Sequence, residues 1–159
     1  MVKVLFVCLG NICRSPAAQG VFESMVEKED LFNHIFIDSC GTSNWHCGEK
    51  ADPRMRSIAL KRGYRLTHLA RTFEHPKDFQ HFDYILTMDK SNFSDLKSYD
   101  NSEKYHHKLY PLTKFCSKIQ TQIVPDPYYQ GEDGFDYVLD ILEDSCANLL
   151  KFIKETHSI

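Results

Sequence analysis

The sequence has no long hydrophobic run and no excess of positive charge. Its most apolar stretch, Val2–Leu9, is too short to span a bilayer and too short for a signal-peptide core followed by a cleavage site. The formal net charge is −3 at pH 7. We therefore expect no membrane segment and no global attraction to nucleic acid or anionic lipid, so that any anion must be bound by a local site.

The six cysteines lack the spacings of a disulfide framework. A Cys-x-x-Cys redox pair is missing, and Cys8 and Cys13 are separated by four residues. Cys40 and Cys47, with His46 between them, match no common zinc-site spacing, so we predict no metal centre. The lack of a targeting segment favours a cytoplasmic protein, in which these cysteines would be mostly reduced thiols.

The nucleotide-binding loop Gly-x-x-x-x-Gly-Lys-Ser/Thr is also missing. What the chain has is an ordinary globular composition, with 42% hydrophobic, 13% aromatic and 26% charged residues among 159. This is enough apolar material for one core, so we predict a single domain over residues 1–159.

Apolar, β-branched runs alternate with helical patterns along the chain. Strands are predicted at Lys3–Cys8, Ile35–Ser39, Phe82–Met88 and, more weakly, Lys108–Leu112. Helices are predicted from Ser15-Pro16 with Ser15 as N-cap, from Asp52-Pro53 to Gly63, at Ser91–Leu96 and at Phe135–Ile153. Loops are predicted at 41–48, 101–107 and 124–134. This alternation indicates an α/β fold with a parallel sheet covered on both faces, where ligands bind at the carboxyl ends of strands.

The segment CLGNICRSP joins the first strand to the first helix. Such a loop can curl its N–H groups around one centre, because Gly10 permits backbone conformations that other residues avoid and Asn11 tolerates the left-handed region. The positive end of the following helix and the planar guanidinium of Arg14 add to an anion-binding cradle. Cys8 lies at its bottom, where positive surroundings favour the nucleophilic thiolate and Ser15 can donate a hydrogen bond to it.

A cysteine and an arginine with five residues between them are by themselves a weak signal, because such pairs also occur by chance. The alternative interpretation is a buried Cys8 at a strand end and an Arg14 that only solvates a helix start. The preceding strand, the internal glycine and the Ser-Pro helix start favour the anion site.

The same segment resembles the signature loop of the low-molecular-weight protein tyrosine phosphatases. The segments DSCGTSNWHCG, DPR, HLAR, FDYILTMDKSN and VPDPYY are similar to family segments and follow the family's order, so the resemblance covers essentially the whole chain. Residues 101–121 and the stretch QGEDG depart from the family pattern.

This resemblance implies a Rossmann-like three-layer α/β domain with a central four-stranded parallel sheet and a phosphate-binding loop after the first strand. It implies hydrolysis of phosphotyrosine proteins and small phosphate monoesters through a phosphocysteine intermediate, without metal or cofactor. Cys8 would be the nucleophile, Arg14 the phosphate clamp and Asp126 the general acid. The phosphate-binding loop would comprise Leu9, Gly10, Asn11, Ile12, Cys13, Arg14 and Ser15. Oxyanions such as phosphate or vanadate would inhibit the enzyme, and the protein would be a monomer or weak dimer.

The resemblance also assigns residues that support the loop and wall the cleft. Asn11, Ser15, Ser39 and His68 would form a hydrogen-bond network behind the loop. Trp45, Tyr128 and Tyr129 would wall the substrate cleft, although a lone loop tryptophan and a tyrosine pair can equally be packing residues.

Asp126 and Asp89 are the two candidates for the general acid. Most Asp-Pro pairs are only turns, but the tyrosines that follow Asp126 suit an aromatic substrate. Asp89 ends a predicted strand near the same edge of the sheet. Its simpler role is the N-cap of the next helix, which we favour.

Three other functions remain as alternatives. Arsenate reduction on the same fold needs relay cysteines, for which Cys116 and Cys146 are the candidates. Phosphoarginine hydrolysis is disfavoured because that branch of the family typically has threonine where Ile12 stands. A phosphate-binding module without turnover is the third. The sequence also leaves open a reversible Cys8–Cys13 disulfide and phosphorylation of Tyr128 or Tyr129.

Overall fold

The computed structural model describes all of residues 1–159, and its centre is a four-stranded parallel sheet. The strands are β1 (Val2–Cys8), β2 (Ile35–Gly41), β3 (Tyr84–Thr87) and β4 (Leu109–Pro111), in the order β2-β1-β3-β4. Every neighbouring pair is parallel. The α/β architecture expected from the sequence is therefore confirmed.

Five helices cover the two faces of the sheet: α1 (Arg14–Lys28), α2 (Pro53–Lys61), α3 (Lys77–His81), α4 (Lys90–Tyr99) and α5 (Glu132–His157). Two short 3-10 turns, His106–Lys108 and Leu112–Phe115, flank β4. No helix combines the length with the apolar character that crossing a membrane requires.

Side chains of β1 alternate between two hydrophobic cores. Val4 and Phe6 pack into the larger core, to which α1, α2 and α5 contribute. Leu5 and Val7 pack into the smaller core, with buried residues of α3 and α4. Because successive strand residues point to opposite faces, a strand buried on both sides reads as the continuous apolar run seen in the sequence.

The start of α1 differs from the prediction. Ser15 is not the N-cap: the helix begins at Arg14, with Cys13 in the N-cap position and no side-chain cap. The Ser15 hydroxyl is completely buried and contacts Cys8 instead. By contrast, α2 begins as predicted, with the Asp52 carboxylate accepting from the Arg54 N–H and Pro53 in the first turn.

Several other boundaries also differ. The strand predicted at Phe82–Met88 is shorter at both ends, and α4 and α5 extend beyond the predicted Ser91–Leu96 and Phe135–Ile153. The predicted loop 124–134 therefore ends at Gly131, where α5 begins with Glu132. The short helix α3 was not predicted, because five residues are too few to show a helical period.

The strand ends place the site at the carboxyl edge of the sheet. Cys8 ends β1 and is paired in register with Gly41, the last residue of β2. A Cβ atom at Gly41 would lie 2.6 Å from the carbonyl oxygen of Leu9. Only glycine at this position lets the loop after β1 lie directly against β2.

Candidate active site

The Cys8 sulfur has two hydrogen-bonding neighbours. The side chain is buried, with the Ser15 hydroxyl 2.9 Å from Sγ and the Asn11 N–H donating to Sγ at 3.3 Å. A hydroxyl and a backbone amide directed at one sulfur stabilise a thiolate. The geometry therefore suits the nucleophile that the sequence predicts.

The backbone of the loop turns its donors and acceptors in different directions. Its carbonyl groups accept N–H bonds from neighbouring segments at 2.7 to 2.9 Å: Thr42 to Cys8, Ser43 to Leu9 and Asp52 to Ile12. Four N–H groups of the loop have no acceptor within the protein: those of Leu9, Gly10, Ile12 and Cys13. All four residues line the same cleft, and successive backbone N–H groups without an internal acceptor suit an anion-binding nest.

Arg14 is buried at the first position of α1, beside two carboxylates. Its Nη1 donates to Asp89 Oδ2 at 2.6 Å and to the carbonyl of Val124 at 3.1 Å, and its Nη2 lies 3.7 Å from Asp126 Oδ2. Burial by itself would lower the pKa of the guanidinium, but the charges on Cys8 and Asp89 raise the pKa above its usual value. Arg14 is therefore a fixed cation at the site.

Asp126 reaches the site from a distant loop. Its Oδ1 accepts the Tyr128 N–H at 3.1 Å, and its side chain is 46% exposed. The loop is anchored to the end of β3, because the Val124 N–H donates to the Met88 carbonyl at 2.7 Å. The half-exposed carboxyl group can exchange protons with water and still face the same pocket as Cys8.

A cleft of about 190 Å³ contains the predicted reactive groups. Its aromatic walls are exposed: Trp45 is 72% and Tyr129 is 94% accessible. The rings of Tyr128 and Tyr129 meet edge to face, 4.9 Å apart. The residues that line the cleft are Cys8, Leu9, Gly10, Ile12, Cys13, Arg14, Trp45, His46, Asp126, Tyr128 and Tyr129.

Asn11 is the hub of the network behind the loop. Its Nδ2 donates to the hydroxyls of Ser15 at 2.7 Å and Ser39 at 3.0 Å. Its Oδ1 accepts from the Arg71 N–H at 3.0 Å and contacts His68 Nε2 at 2.9 Å. All four hydrogen-bonding positions of the amide are therefore used.

The left-handed backbone conformation of the loop falls on Asn11, with φ of 57°, and not on Gly10. The expectation that Gly10 supplies the unusual backbone angle is therefore wrong. A Cβ atom at Gly10 would instead lie 3.1 Å from the His46 ring, so this glycine makes room for a neighbour.

His68 and Ser39 extend this network toward the outer side of β2. Burial lowers the pKa of His68, with Arg71 acting in the same direction and Asp38 opposing it. The Nε2 of His68 contacts Asn11 Oδ1, an oxygen that accepts a ring N–H. The Ser39 hydroxyl donates to Gln19 Oε1 at 2.6 Å. The four predicted support residues therefore lie together.

Comparison with known proteins agrees with this geometry. The family model for low molecular weight phosphotyrosine protein phosphatases matches residues 3–158. The chain belongs to this family. A phosphatase of the family from Schizosaccharomyces pombe is 43% identical over 153 residues, which cover 96% of this chain and 97% of the relative.

Solved structures of similar proteins cover nearly all of the chain. A crystal structure of a protein tyrosine phosphatase from Entamoeba histolytica, with Hepes in the active site, has a TM-score of 0.95 and 44% identity, covering 99% of both chains. A Drosophila arginine phosphatase has a TM-score of 0.89 and 33% identity, covering 96% of this chain and 98% of its own.

Within this phosphatase fold, Asp89 has a second contact that the sequence did not reveal. As predicted, it is the N-cap of α4, and its Oδ1 accepts the Asn92 N–H at 2.8 Å. Its other oxygen, Oδ2, holds Arg14. The sequence signal that could have indicated this contact is the position of Asp89 at the end of a predicted strand, because the strand ends of a parallel sheet meet at one edge.

Other residues of the phosphatase site were also missed. The Arg54 guanidinium pairs with Asp52 and lies 5.4 Å from the Tyr128 ring centre and 4.9 Å from that of Phe135. It thereby connects α2 to the loop that presents Asp126. Five further residues act through contacts between distant segments, which local spacing does not reveal, although all but Gln19 lie in segments that resemble the family: Gln19, Gly41, His46, Arg71 and Val124.

Cys13 lines the phosphatase cleft beside Cys8. Burial raises the pKa of its thiol far above the usual value, and the Asp52 charge adds to the effect. Cys13 therefore remains a neutral thiol at physiological pH and does not compete as the nucleophile.

Proposed function

We propose that this chain hydrolyses phosphotyrosine in proteins, and small aryl phosphates, through a phosphocysteine intermediate. The observation that carries the proposal is the loop whose four residues with free N–H groups line one cleft together with Cys8 and Arg14. Family membership of a chain that keeps all these groups supports turnover rather than binding alone. Both cores lie against one sheet, which supports a single phosphatase domain over residues 1–159.

In the first step, the substrate phosphate binds the loop N–H groups and the guanidinium of Arg14. The Cys8 thiolate attacks phosphorus, and the bond to the tyrosine oxygen breaks. Asp126, protonated, donates its proton to that leaving oxygen. The loop N–H groups and Arg14 stabilise the equatorial oxygens throughout, because they are already in position before the reaction.

In the second step, the Asp126 carboxylate accepts a proton from a water molecule, which attacks phosphorus and breaks its bond to sulfur. Inorganic phosphate leaves and the Cys8 thiolate is restored. The Ser15 hydroxyl, 2.9 Å from the sulfur, supports this step because a hydrogen bond stabilises the departing thiolate. The same loop binds free phosphate or vanadate, which explains the inhibition expected from these oxyanions.

Two alternatives have specific weaknesses. An arsenate reductase would relay a disulfide to Cys116 or Cys146, but neither lines the cleft and Cys146 is completely buried. The similarity to the Drosophila arginine phosphatase supports phosphoarginine hydrolysis. Against it, the cleft is lined by Ile12, which favours phosphotyrosine as the substrate. A cytoplasmic location and a monomeric or weakly dimeric state stay predictions from the sequence.

The test is hydrolysis of an aryl phosphate in the presence of EDTA by wild type, Cys8→Ser and Asp126→Ala. We expect no turnover by Cys8→Ser and a loss of about 10²-fold to 10⁴-fold in kcat for Asp126→Ala. Matched phosphotyrosine and phosphoarginine peptides extend the assay to the substrate class. An active Cys8→Ser would overturn the phosphocysteine route, and faster cleavage of phosphoarginine would favour that alternative.

A further inference from the structure

The segment from Lys50 to Arg71 has a charge opposite to that of the rest of the chain. It contains seven of the 19 lysine and arginine residues but only one of the 22 aspartate and glutamate residues. Because the whole chain has a net charge of −3, this is a basic segment in an acidic chain.

Three of the seven cations are neutralised within the protein. Their carboxylate partners are Asp52 for Arg54, Asp136, Asp140 and Glu143 for Arg62, and Asp38 and Asp78 for Arg71. The remaining four have no carboxylate partner: Lys50, Arg56, Lys61 and Arg65. These four charges are free to bind an external anion.

Three of these unpaired cations, Lys50, Arg56 and Arg65, line one groove beside α2. The groove has a volume of about 290 Å³ and no acidic residue in its lining. Leu60 and Tyr64 give it an apolar wall. A groove with both cationic and apolar surface suits a peptide segment better than a bare ion.

Arg56 is held in place before any ligand binds. It is half-buried, and its Nε donates to the Ala51 carbonyl at 2.9 Å. The two terminal nitrogens keep their donors for a ligand, in the planar fork that matches a carboxylate. Preorganisation of this kind lowers the entropy cost of binding.

One lining residue of the groove, Lys50, is far from the catalytic loop in the sequence but lies near it in space. Lys50 pairs with Leu69 in an isolated antiparallel bridge. Two residues later, the Asp52 N–H donates to the Ile12 carbonyl of the loop at 2.7 Å. A protein substrate whose phosphotyrosine occupies the cleft therefore has neighbouring residues within reach of Lys50.

We propose that the Lys50–Arg56–Arg65 groove binds acidic side chains that flank the phosphotyrosine of a protein substrate. This inference rests on the proposed function and specifies its substrate class. The occupant is a peptide because three cations on one small concave surface match a few carboxylates. The acidic remainder of the molecule repels the extended polyanionic surface of a membrane or nucleic acid.

The test compares two phosphotyrosine peptides, one with glutamates on both sides of the tyrosine and one with alanines. Wild type should have a kcat/KM for the acidic peptide about 10-fold higher at low salt, a preference that salt reduces. The double variant Lys50→Gln/Arg65→Gln should lose this preference through a higher KM, with kcat unchanged. Lys61→Gln is the matched control, because Lys61 is also unpaired but lies outside the groove.

The proposal would be overturned if the double variant kept its preference for the acidic peptide, or if Lys61→Gln lost that preference equally. Failure of the proposed function gives a different result: wild type would then not cleave the small aryl phosphate. In that case, a fluorescent unphosphorylated glutamate peptide still tests the groove by direct binding. Tighter binding to phosphatidylserine vesicles than to this peptide would contradict the peptide occupant.

Discussion

At the scale of single residues, Asp89 connects the stability of a helix to the position of a catalytic cation. One carboxylate oxygen caps α4 and the other holds Arg14. Asparagine is an equally good N-cap, so Asp89→Asn separates the two roles. We expect kcat/KM for an aryl phosphate to fall about 10-fold, because Arg14 loses a charge-assisted hydrogen bond. The free energy of unfolding should fall by about 1 to 3 kcal/mol, because the helix cap is kept but the buried guanidinium loses a charged partner.

The matched control is Asn92→Ala, which removes the side chain that accepts the Asp89 N–H and leaves the Arg14 contact intact. It should lower the free energy of unfolding by about 1 kcal/mol without loss of activity. Full activity in Asp89→Asn, or a loss of activity in Asn92→Ala, would contradict this separation of the Arg14 contact from the helix cap. Loss of the acid's limb from the pH–rate profile in Asp89→Asn, with that limb retained in Asp126→Ala, would transfer the general-acid role to Asp89.

Asn11 shows how far the sequence predicts the site. Its residue type and place in the loop predict both left-handed geometry and a support role. Its bonds to Arg71 and His68 join segments about 60 residues apart, which no local pattern contains. The prediction that Ser15 is the N-cap of α1 was wrong for a related reason. The tertiary contact of its hydroxyl with Cys8 overrides the local propensity of serine to cap a helix.

At the scale of elements, Asp144 organises the segment that departs from the family pattern. This buried carboxylate on α5 accepts the N–H groups of Ser117, Lys118 and Ile119 at 2.9 to 3.0 Å. Burial alone would raise the pKa of the carboxyl group, but these backbone N–H bonds lower it below its usual value. The segment after β4 is thereby attached to the final helix.

Asp144→Asn should lower the free energy of unfolding by about 2 kcal/mol at pH 7, because a charged acceptor of three N–H groups is lost. Since the folded-state pKa lies below the unfolded value, the stabilisation is complete above about pH 4 and disappears as the pH falls through the folded pKa. Urea unfolding of wild type and variant from pH 7 to pH 3 measures this difference.

Asp140→Asn is the control on the same helix, because Asp140 is half-exposed and only pairs with Arg62. Its effect should stay below about 0.5 kcal/mol. A difference between wild type and Asp144→Asn that grows on acidification would contradict the capping role. The sequence could not reveal this contact, because the segment it holds has neither helical nor strand periodicity.

At the scale of the whole molecule, alternation of strands and helices was enough to predict the parallel sheet and the edge that carries Cys8. The approach of Asp126, more than a hundred residues away, follows from how the loop after β4 returns over that edge. Spacing in the sequence does not contain this path. The tyrosines after Asp126 favoured it as the acid, but the assignment depended on the resemblance. The basic segment between Lys50 and Arg71 can be recognised from composition alone. Which of its cations are paired with carboxylates and which are free can be known only from the structure.

Ligand binding to the loop should raise the stability of the entire domain, because the nest and the position of Arg14 beside it form only in the folded chain. Inorganic phosphate at 100 times its Kd adds about 2.7 kcal/mol, which corresponds to a Tm increase of about 5 to 10 °C for a chain of this length. Differential scanning fluorimetry in phosphate and in sodium chloride of equal ionic strength separates specific binding from screening.

Lys50→Gln/Arg65→Gln should keep the full increase in Tm, since the groove is not the phosphate site. Arg14→Lys should lose most of it, because an ammonium group cannot replace the planar fork. If Arg14→Lys kept the increase and the groove variant lost it, phosphate would bind in the groove and the assignment of the two anion sites would be reversed.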